Sequence, residues 1–418
     1  MKKPLAIMAF ALALVTGFVF SATAATSVPT WYDELRHGNL PKLAADGCKQ
    51  VVVYSAGGSN WETRYDHFLN GELAYYLKKA NDHGIKVIVS VTDIVVAGTE
   101  ADMGALAAHA ATFKSYPALA GWYILDEPPA NDQQRIANAR RAYGILKAVT
   151  PSLPVYMAFV FFNSSASGLL DIPVQYKDAY DVLMWDCYSL YRDDKGTPPT
   201  YRPEWVDIED WRKGCLKMKG VADGLGKPLL PVLQGYGDNP QGHAVCLRLP
   251  SKAEERFMVY YSMNNGARAV CFWEYAWLLN SVATVAPNPY LGTGEQWRTD
   301  VGKPVMDEMM LYAAAIDGGP VAGAVSGWDG GINGKVYRDP AFGKYYLLTV
   351  NTRASASAAV TLAIILPGNW SHLAEYGAGK IPVAKNTVSL GNYAKYQVRN
   401  FELVSGSTST RSATGIEK

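Results

Sequence analysis

The sequence has little that would commit it to nucleic acid, metal or lipid. Its 39 Lys and Arg almost balance 38 Asp and Glu over 418 residues. No basic run or stripe breaks that balance, which argues against a nucleic-acid partner. The six histidines (37, 67, 83, 109, 243 and 372) are scattered without ligand spacing, and the five cysteines form no Cys-x-x-Cys pair. A zinc site is therefore not expected, and no other metal or organic cofactor is called for. No Gly-x-Ser-x-Gly elbow is present, so the commonest serine-hydrolase signature is missing. No Gly-rich turn follows the first candidate strand, Pro29–Asp33, so nothing there supports a nucleotide-binding reading. Beyond the N-terminus, no stretch has the roughly 20 uninterrupted apolar residues that a membrane span needs.

At the N-terminus, Met1-Lys-Lys is followed by an apolar run from Pro4 to Phe20 and by Ser21-Ala-Thr-Ala-Ala25. A short positive region, an apolar stretch of this length and an A-x-A site at Ala22 and Ala24 predict a secretory signal peptide over residues 1–25. A membrane anchor is the competing reading, but no charged stop follows the run. Cleavage leaves a soluble, periplasmic or secreted chain with no membrane partner. Export permits disulfides. The odd count of Cys48, Cys187, Cys215, Cys246 and Cys271 leaves at least one free thiol, and spacing does not give the pairing. Cys187 and Cys271 lie in apolar, strand-like runs that suit a core.

Short apolar or β-branched runs alternate with helix-like segments. The runs are Gln50–Tyr54, Lys86–Asp93, Gly121–Leu125, Pro154–Phe159, Asp181–Asp186, Pro228–Gln234 and Ala267–Glu274. This rhythm predicts parallel strands joined by helices. Seven strands need an eighth to close a barrel, and only the short segment Pro29-Thr-Trp-Tyr-Asp33 can supply it. The expected fold is α/β: a (β/α)8 TIM barrel over residues 26–318. An open doubly wound sheet is the alternative. From about Pro320 helical periodicity stops. Residues 319–404 read as a small antiparallel β-sandwich, and 405–418 as a polar, disordered tail.

In such a barrel the chemistry sits where the strands end at their carboxyl side. The polar residues finishing the runs include Asp93, Asp126, Glu127, Asp186, Gln234 and Glu274, interleaved with Trp185, Tyr188, Tyr236, Trp273 and Trp277. The chain carries 26 Tyr, 11 Trp and 12 Phe, enough to furnish flat faces at a cleft as well as a core. Aromatic faces that stack on sugar rings, beside carboxyl groups that protonate a leaving oxygen, are what carbohydrate chemistry requires. Glu127, in Gly121-Trp-Tyr-Ile-Leu-Asp-Glu-Pro-Pro129, is the sharpest candidate. Pro128 disfavours helical backbone before it and is expected to hold it extended. Alternation predicts that Asp126 and Glu127 point in opposite directions. Asp126 then acts as a supporting partner, or both carboxylates merely cap the loop that follows. Glu274 is the first choice for a second catalytic carboxylate, with Asp186 competing. Gln234 and Asp93 are expected to bond sugar hydroxyls, and the tyrosines and tryptophans to line the subsites.

The Gly-Trp-Tyr-x-x-Asp-Glu-Pro segment, approached through Tyr116-Pro-Ala-Leu-Ala, resembles the fourth-strand motif of (β/α)8 glycoside hydrolases and their uncharacterised relatives. Asp181–Tyr188, Pro231–Gly237 and Ala267–Tyr275 resemble the sixth, seventh and eighth strands, and the terminal sandwich resembles the β-domain that often follows such barrels. The resemblance spans about residues 29–403. It implies cleavage of glycosidic bonds in an oligo- or polysaccharide, with Glu127 as general acid/base holding a proton near neutral pH. It departs at two positions. Common retaining members carry a nucleophilic glutamate on strand seven, where this chain has Gln234, and the acid/base usually follows Asn, where this chain has Asp126. The second carboxylate thus stays open between Glu274 and Asp186, and a barrel that binds carbohydrate without cleaving it is the alternative.

Overall fold

A computed structural model of the chain describes residues 28–33, 37–53, 71–161, 167–188, 190, 208–237, 249–280, 293–357 and 359–406. The signal-peptide segment and the tail from residue 407 lie outside the described residues. Eight parallel strands close a barrel in chain order: β1 (Pro29–Asp33), β2 (Gln50–Val53), β3 (Lys86–Ser90), β4 (Leu119–Leu125), β5 (Val155–Val160), β6 (Val182–Asp186), β7 (Leu229–Gln234) and β8 (Val270–Trp273). The short first strand is real. It pairs with β2 from Thr30 to Asp33 and closes onto β8 through Pro29↔Val270, Thr30↔Cys271 and Trp31↔Phe272.

The described helices of this part are α1 (Leu40–Ala45), α2 (Glu72–Asp82), α3 (Thr92–Ala97), α4 (Glu100–Phe113), α5 (Gln133–Val149), α6 (Ile172–Gln175), α7 (Ile208–Leu225), α8 (Lys252–Asn264), α9 (Tyr275–Asn280), α10 (Gly294–Trp297) and α11 (Lys303–Asp317). Their starts follow local chemistry. Thr99 and Ser251 form capping boxes with Asp102 and Glu254, and Asp132 accepts from the Arg135 N–H, so first-turn donors of α4, α8 and α5 are satisfied. No described helix is long and apolar enough to cross a membrane.

Each barrel strand feeds two cores. Trp31, Trp122 and Trp185 face the helices, whereas Tyr32, Tyr123 and Met184 fill the barrel interior. The outward indoles are fully buried and each spends its N–H: Trp31 on Met306 Sδ (3.1 Å), Trp122 on Thr150 Oγ1 (2.9 Å) and Trp185 on the Phe161 carbonyl (2.9 Å). A buried indole without such a partner would leave a costly orphan donor. Cys48, Cys187, Cys215 and Cys271 are all buried.

Beyond α11 come β9 (Val325–Ser326), β10 (Ile332–Arg338), β11 (Tyr345–Asn351), β12 (Val360–Ile364), β13 (Trp370–Glu375), β14 (Lys380–Pro382), β15 (Thr387–Gly391) and β16 (Val398–Ser405). They form a five-stranded sheet in the order β10-β11-β16-β13-β14 and a three-stranded sheet in the order β15-β12-β9. Ser405, expected in the tail, belongs to β16. The larger sheet packs on α8 and α11. The Arg256 guanidinium grips the Glu308 carboxylate with two bonds of 2.8 Å, and Asn400 adds a third at 2.9 Å. Tyr346, Leu348, Val350 and Val398 join the barrel's outer core, so the apolar interior continues across the junction.

Candidate active site

The site begins with an irregularity in β4. Its pairing with β5 shifts register between Tyr123 and Leu125, a bulge. One extra residue breaks the alternation, and Ile124 and Leu125 both join the outer core. Asp126 turns to the Tyr123 hydroxyl in the barrel interior, and the charges of Asp126 and Glu127 both act on Asp186. The expectation of extended backbone at Glu127 fails. Glu127 has φ +38°, and its N–H donates to the Ala158 carbonyl on β5 at 3.1 Å. Pro128 disfavours the right-handed helical region at this residue, and the backbone lies in the left-handed region. Such backbone costs a glutamate on the order of 1–3 kcal/mol. Glu127 is exposed, and Asp126 beside it is half-buried.

Asp126 accepts a short hydrogen bond from the Tyr123 hydroxyl. The Tyr123 ring meets Tyr32 edge-on at 5.8 Å, and Tyr32 meets Trp273 at 4.8 Å. Opposite them, Asp186 ends β6, 95 % removed from solvent (5 % exposed). Burial pushes its carboxyl well above the usual carboxylate range, and the charge of Glu127, a hydrogen bond to Glu127 and the charge of Asp126 push it further. The protonated form of Asp186 is thus favoured, and in that form it faces Glu127 as a hydrogen-bond donor. Its Oδ1 is buried without a hydrogen-bond partner. Tyr188 and Tyr236 continue the wall, edge to face at 5.4 Å. Burial, then the charge of Asp186, raises the Tyr188 hydroxyl.

The structure thus brings together Asp126, Glu127, Asp186, Tyr188, Tyr236 and Trp273. It does not bring the others to the same place. Trp185 lies on the outer face of β6, tilted against Trp211 of α7 at 5.7 Å, so it is core and not a subsite. Gln234 has no exposed surface. Its Oε1 accepts from the Leu190 N–H (3.1 Å) and its Nε2 donates to the Leu190 and Tyr236 carbonyls (3.2 and 3.3 Å). It ties the segment after β6 to the end of β7 and offers nothing to a sugar. Asp93 does not end a strand: β3 stops at Ser90, and Asp93 sits in the first turn of α3. Glu274 follows β8 directly, across a cis Trp273–Glu274 peptide, and both carboxylate oxygens are closed to solvent. The Trp277 side chain lies outside the described residues.

Tyr32 and Tyr123 were not among the sequence candidates. A signal for them exists: Trp31-Tyr32 and Trp122-Tyr123 repeat one dipeptide on two strands, with the tyrosine inward each time. Among the described residues, no three His, Cys, Asp or Glu side chains group in a way that could hold a metal ion.

No family model matches the chain, and no curated protein matches it in sequence. Solved structures do share its fold. A glycoside hydrolase family 5 protein from Bacteroides vulgatus superposes with a TM-score of 0.56 at 13% identity, covering 90% of this chain and 89% of that one. A family 27 β-L-arabinopyranosidase from Geobacillus stearothermophilus gives 0.56 at 10% identity, over 92% and 98%. A family 39 glycoside hydrolase from Bacteroides cellulosilyticus gives 0.52 at 12% identity, over 90% and 80%. At these identities the likeness establishes the architecture, a TIM barrel followed by a β-sandwich.

Proposed function

We propose that this chain is an exported glycoside hydrolase acting on an oligo- or polysaccharide. The observation that carries the reading is the Asp186–Glu127 pair at the carboxyl rim of the barrel: a buried aspartate, its carboxyl raised by burial and by its neighbours, facing an exposed glutamate beside an aromatic wall. Glu127 reaches the cleft and delivers the proton to the leaving oxygen. Asp186 stands behind it and holds the shared proton at rest; that proton passes to Glu127 as Glu127 protonates the leaving oxygen, and the proton released by the attacking water returns to the pair. This division revises the role expected for Glu127, since the carboxyl that the fold keeps neutral is Asp186. A general acid placed in this way accounts for roughly 100- to 10,000-fold in rate.

A directly hydrogen-bonded pair is closer than the roughly 5 Å between the two carboxyls of a retaining enzyme. Asp186 and Glu127 therefore work as one acid unit, and the second carboxylate is a different residue. Asp126, half-buried and oriented by Tyr123, is the one positioned to stabilise positive charge at the anomeric carbon. Glu274 is sealed and plays no part in this scheme. Likeness to three glycoside hydrolases of separate families supports the reading, as does an N-terminal segment with the makeup of a signal peptide.

The sealing of Glu274 favours one other reading, a barrel that binds carbohydrate without cleaving it. One experiment separates the two. Purified protein is screened on polysaccharides and aryl glycosides, with Glu127→Gln and Asp126→Asn beside it. Hydrolysis by wild type, reduced at least 100-fold in Glu127→Gln with saccharide binding retained, is the expected outcome. Saccharide binding without turnover by wild type selects the non-catalytic reading, and full activity in Glu127→Gln removes it from the mechanism.

A further inference from the structure

At the opposite end of the barrel from Glu127, where the chain enters β8, a cavity of about 400 Å³ opens at the seam with the sandwich. This lies within the range of small-molecule sites, about 300–1,000 Å³. Its walls come from α7, the carboxyl ends of α8 and α11, and β10. Three cations line it, Lys219, Arg268 and Lys335, with no acidic side chain among the lining residues. Met263, Ile316 and Tyr337 supply apolar surface.

The bland account of these cations is that they serve the helix ends, whose carbonyls favour positive charge. Here those ends are already capped by backbone. Gly266, at φ +94°, lets its N–H reach the Met263 carbonyl (2.9 Å) and the Ala267 N–H reach Ser262 (3.0 Å), the pairing of a Schellman cap. At α11 the Gly319 N–H donates to the Ile316 carbonyl at 2.9 Å and the Gly318 N–H to Ala314 at 3.3 Å. The polar wall groups are also spent: Asn264 on the Asn333 and Leu348 carbonyls, Asn265 on Tyr261, and Tyr337 on Met263. Lys219 pairs with Asp223 one turn along α7, and its stem lies directly over Gly266, where an added Cβ would come within 2.9 Å of it. Arg268 and Lys335 are exposed and have no ion pair or hydrogen bond among the described residues. Like charges gathered round one concavity repel each other and raise the local concentration of anions.

We propose that this cavity binds a small organic anion of sugar-acid size, its carboxylate held between Arg268 of the barrel and Lys335 of the sandwich and its ring against Tyr337 and Ile316. The inference does not depend on the glycosidase reading, because binding is measured without turnover and far from Glu127. Calorimetric titration of the full chain at fixed ionic strength uses glucuronate, inorganic phosphate and neutral glucose as probes. Glucuronate is expected to saturate one site per chain and to bind at least ten-fold more tightly than phosphate, with glucose leaving it undisplaced. Arg268→Ala combined with Lys335→Ala is expected to weaken glucuronate at least ten-fold, while Glu127→Gln binds it like wild type. Both substituted residues are exposed, so the fold is not at stake. Absence of glucuronate binding, indifference to the double substitution or loss in Glu127→Gln overturns the proposal, and equal affinity for phosphate overturns its sugar-acid part.

Discussion

The two faces of the barrel strands differ in what their large side chains do. On the outer face, Trp31, Trp122 and Trp185 are sealed, and each indole N–H is bonded within the fold. On the inner face, one residue along, Tyr32, Tyr123 and Asp186 interact with one another and lead to the exposed Glu127. The same dipeptides therefore feed a layer of bonded indoles outward and a cluster of hydroxyl and carboxyl groups inward. The chain's aromatic richness is shared between two tasks, and only the inward share concerns the cleft.

Three substitutions test that division. The largest effect is expected for Trp185→Ala, which empties a fully buried site and costs about 3–5 kcal/mol in urea or thermal unfolding. Turnover per folded molecule should not change. A variant of normal stability with a raised KM would place the indole in the cleft and break the comparison.

Asp186→Asn should act in the opposite sense on the two properties. Activity falls, by roughly 100-fold for loss of an acid unit, while stability at neutral pH rises. The sign follows from the raised carboxyl. Above about pH 4, where a free aspartate ionises, the native state keeps a proton at Asp186 that the unfolded chain releases. Wild-type stability therefore declines as pH rises, until Asp186 itself ionises. The melting temperature of Asp186→Asn should exceed that of wild type at pH 7–8 and converge with it near pH 4. A gap independent of pH contradicts the assignment.

Tyr123→Phe is expected to have the smallest effect. It removes one hydrogen bond to Asp126, and bonds to charged groups are worth about 1.5–3 kcal/mol. A fall of about ten-fold in kcat/KM is expected, with a displaced pH–rate profile and a melting temperature lowered by a few degrees. An unaltered profile would make the inner tyrosines mere filling.

The barrel was legible because its evidence is repetitive: seven apolar runs at helical spacing demand an eighth, and Pro29–Asp33 occupied the place. The site was legible only where a residue's role depends on its own strand. Glu127 and Asp186 stand near the strand ends, as expected. The phase of the strands was hidden, since a parallel strand buried on both faces carries apolar residues in both positions, so Trp185 and Asp186 read alike as cleft candidates. The bulge in β4 depends on register with β5, which β4 alone does not encode. Gln234 is claimed by Leu190, 44 positions earlier, a pairing that no local pattern reveals. For Glu274, lying just after a strand did not imply an open rim.

The left-handed backbone at Glu127 has a consequence for how this chain can change. Glycine enters that region freely, whereas glutamate pays for it. Selection for heat resistance alone would draw the position toward glycine and silence the cleft. If Glu127 carries the proposed role, consensus-style stabilisation of this scaffold should leave residues 126–128 untouched.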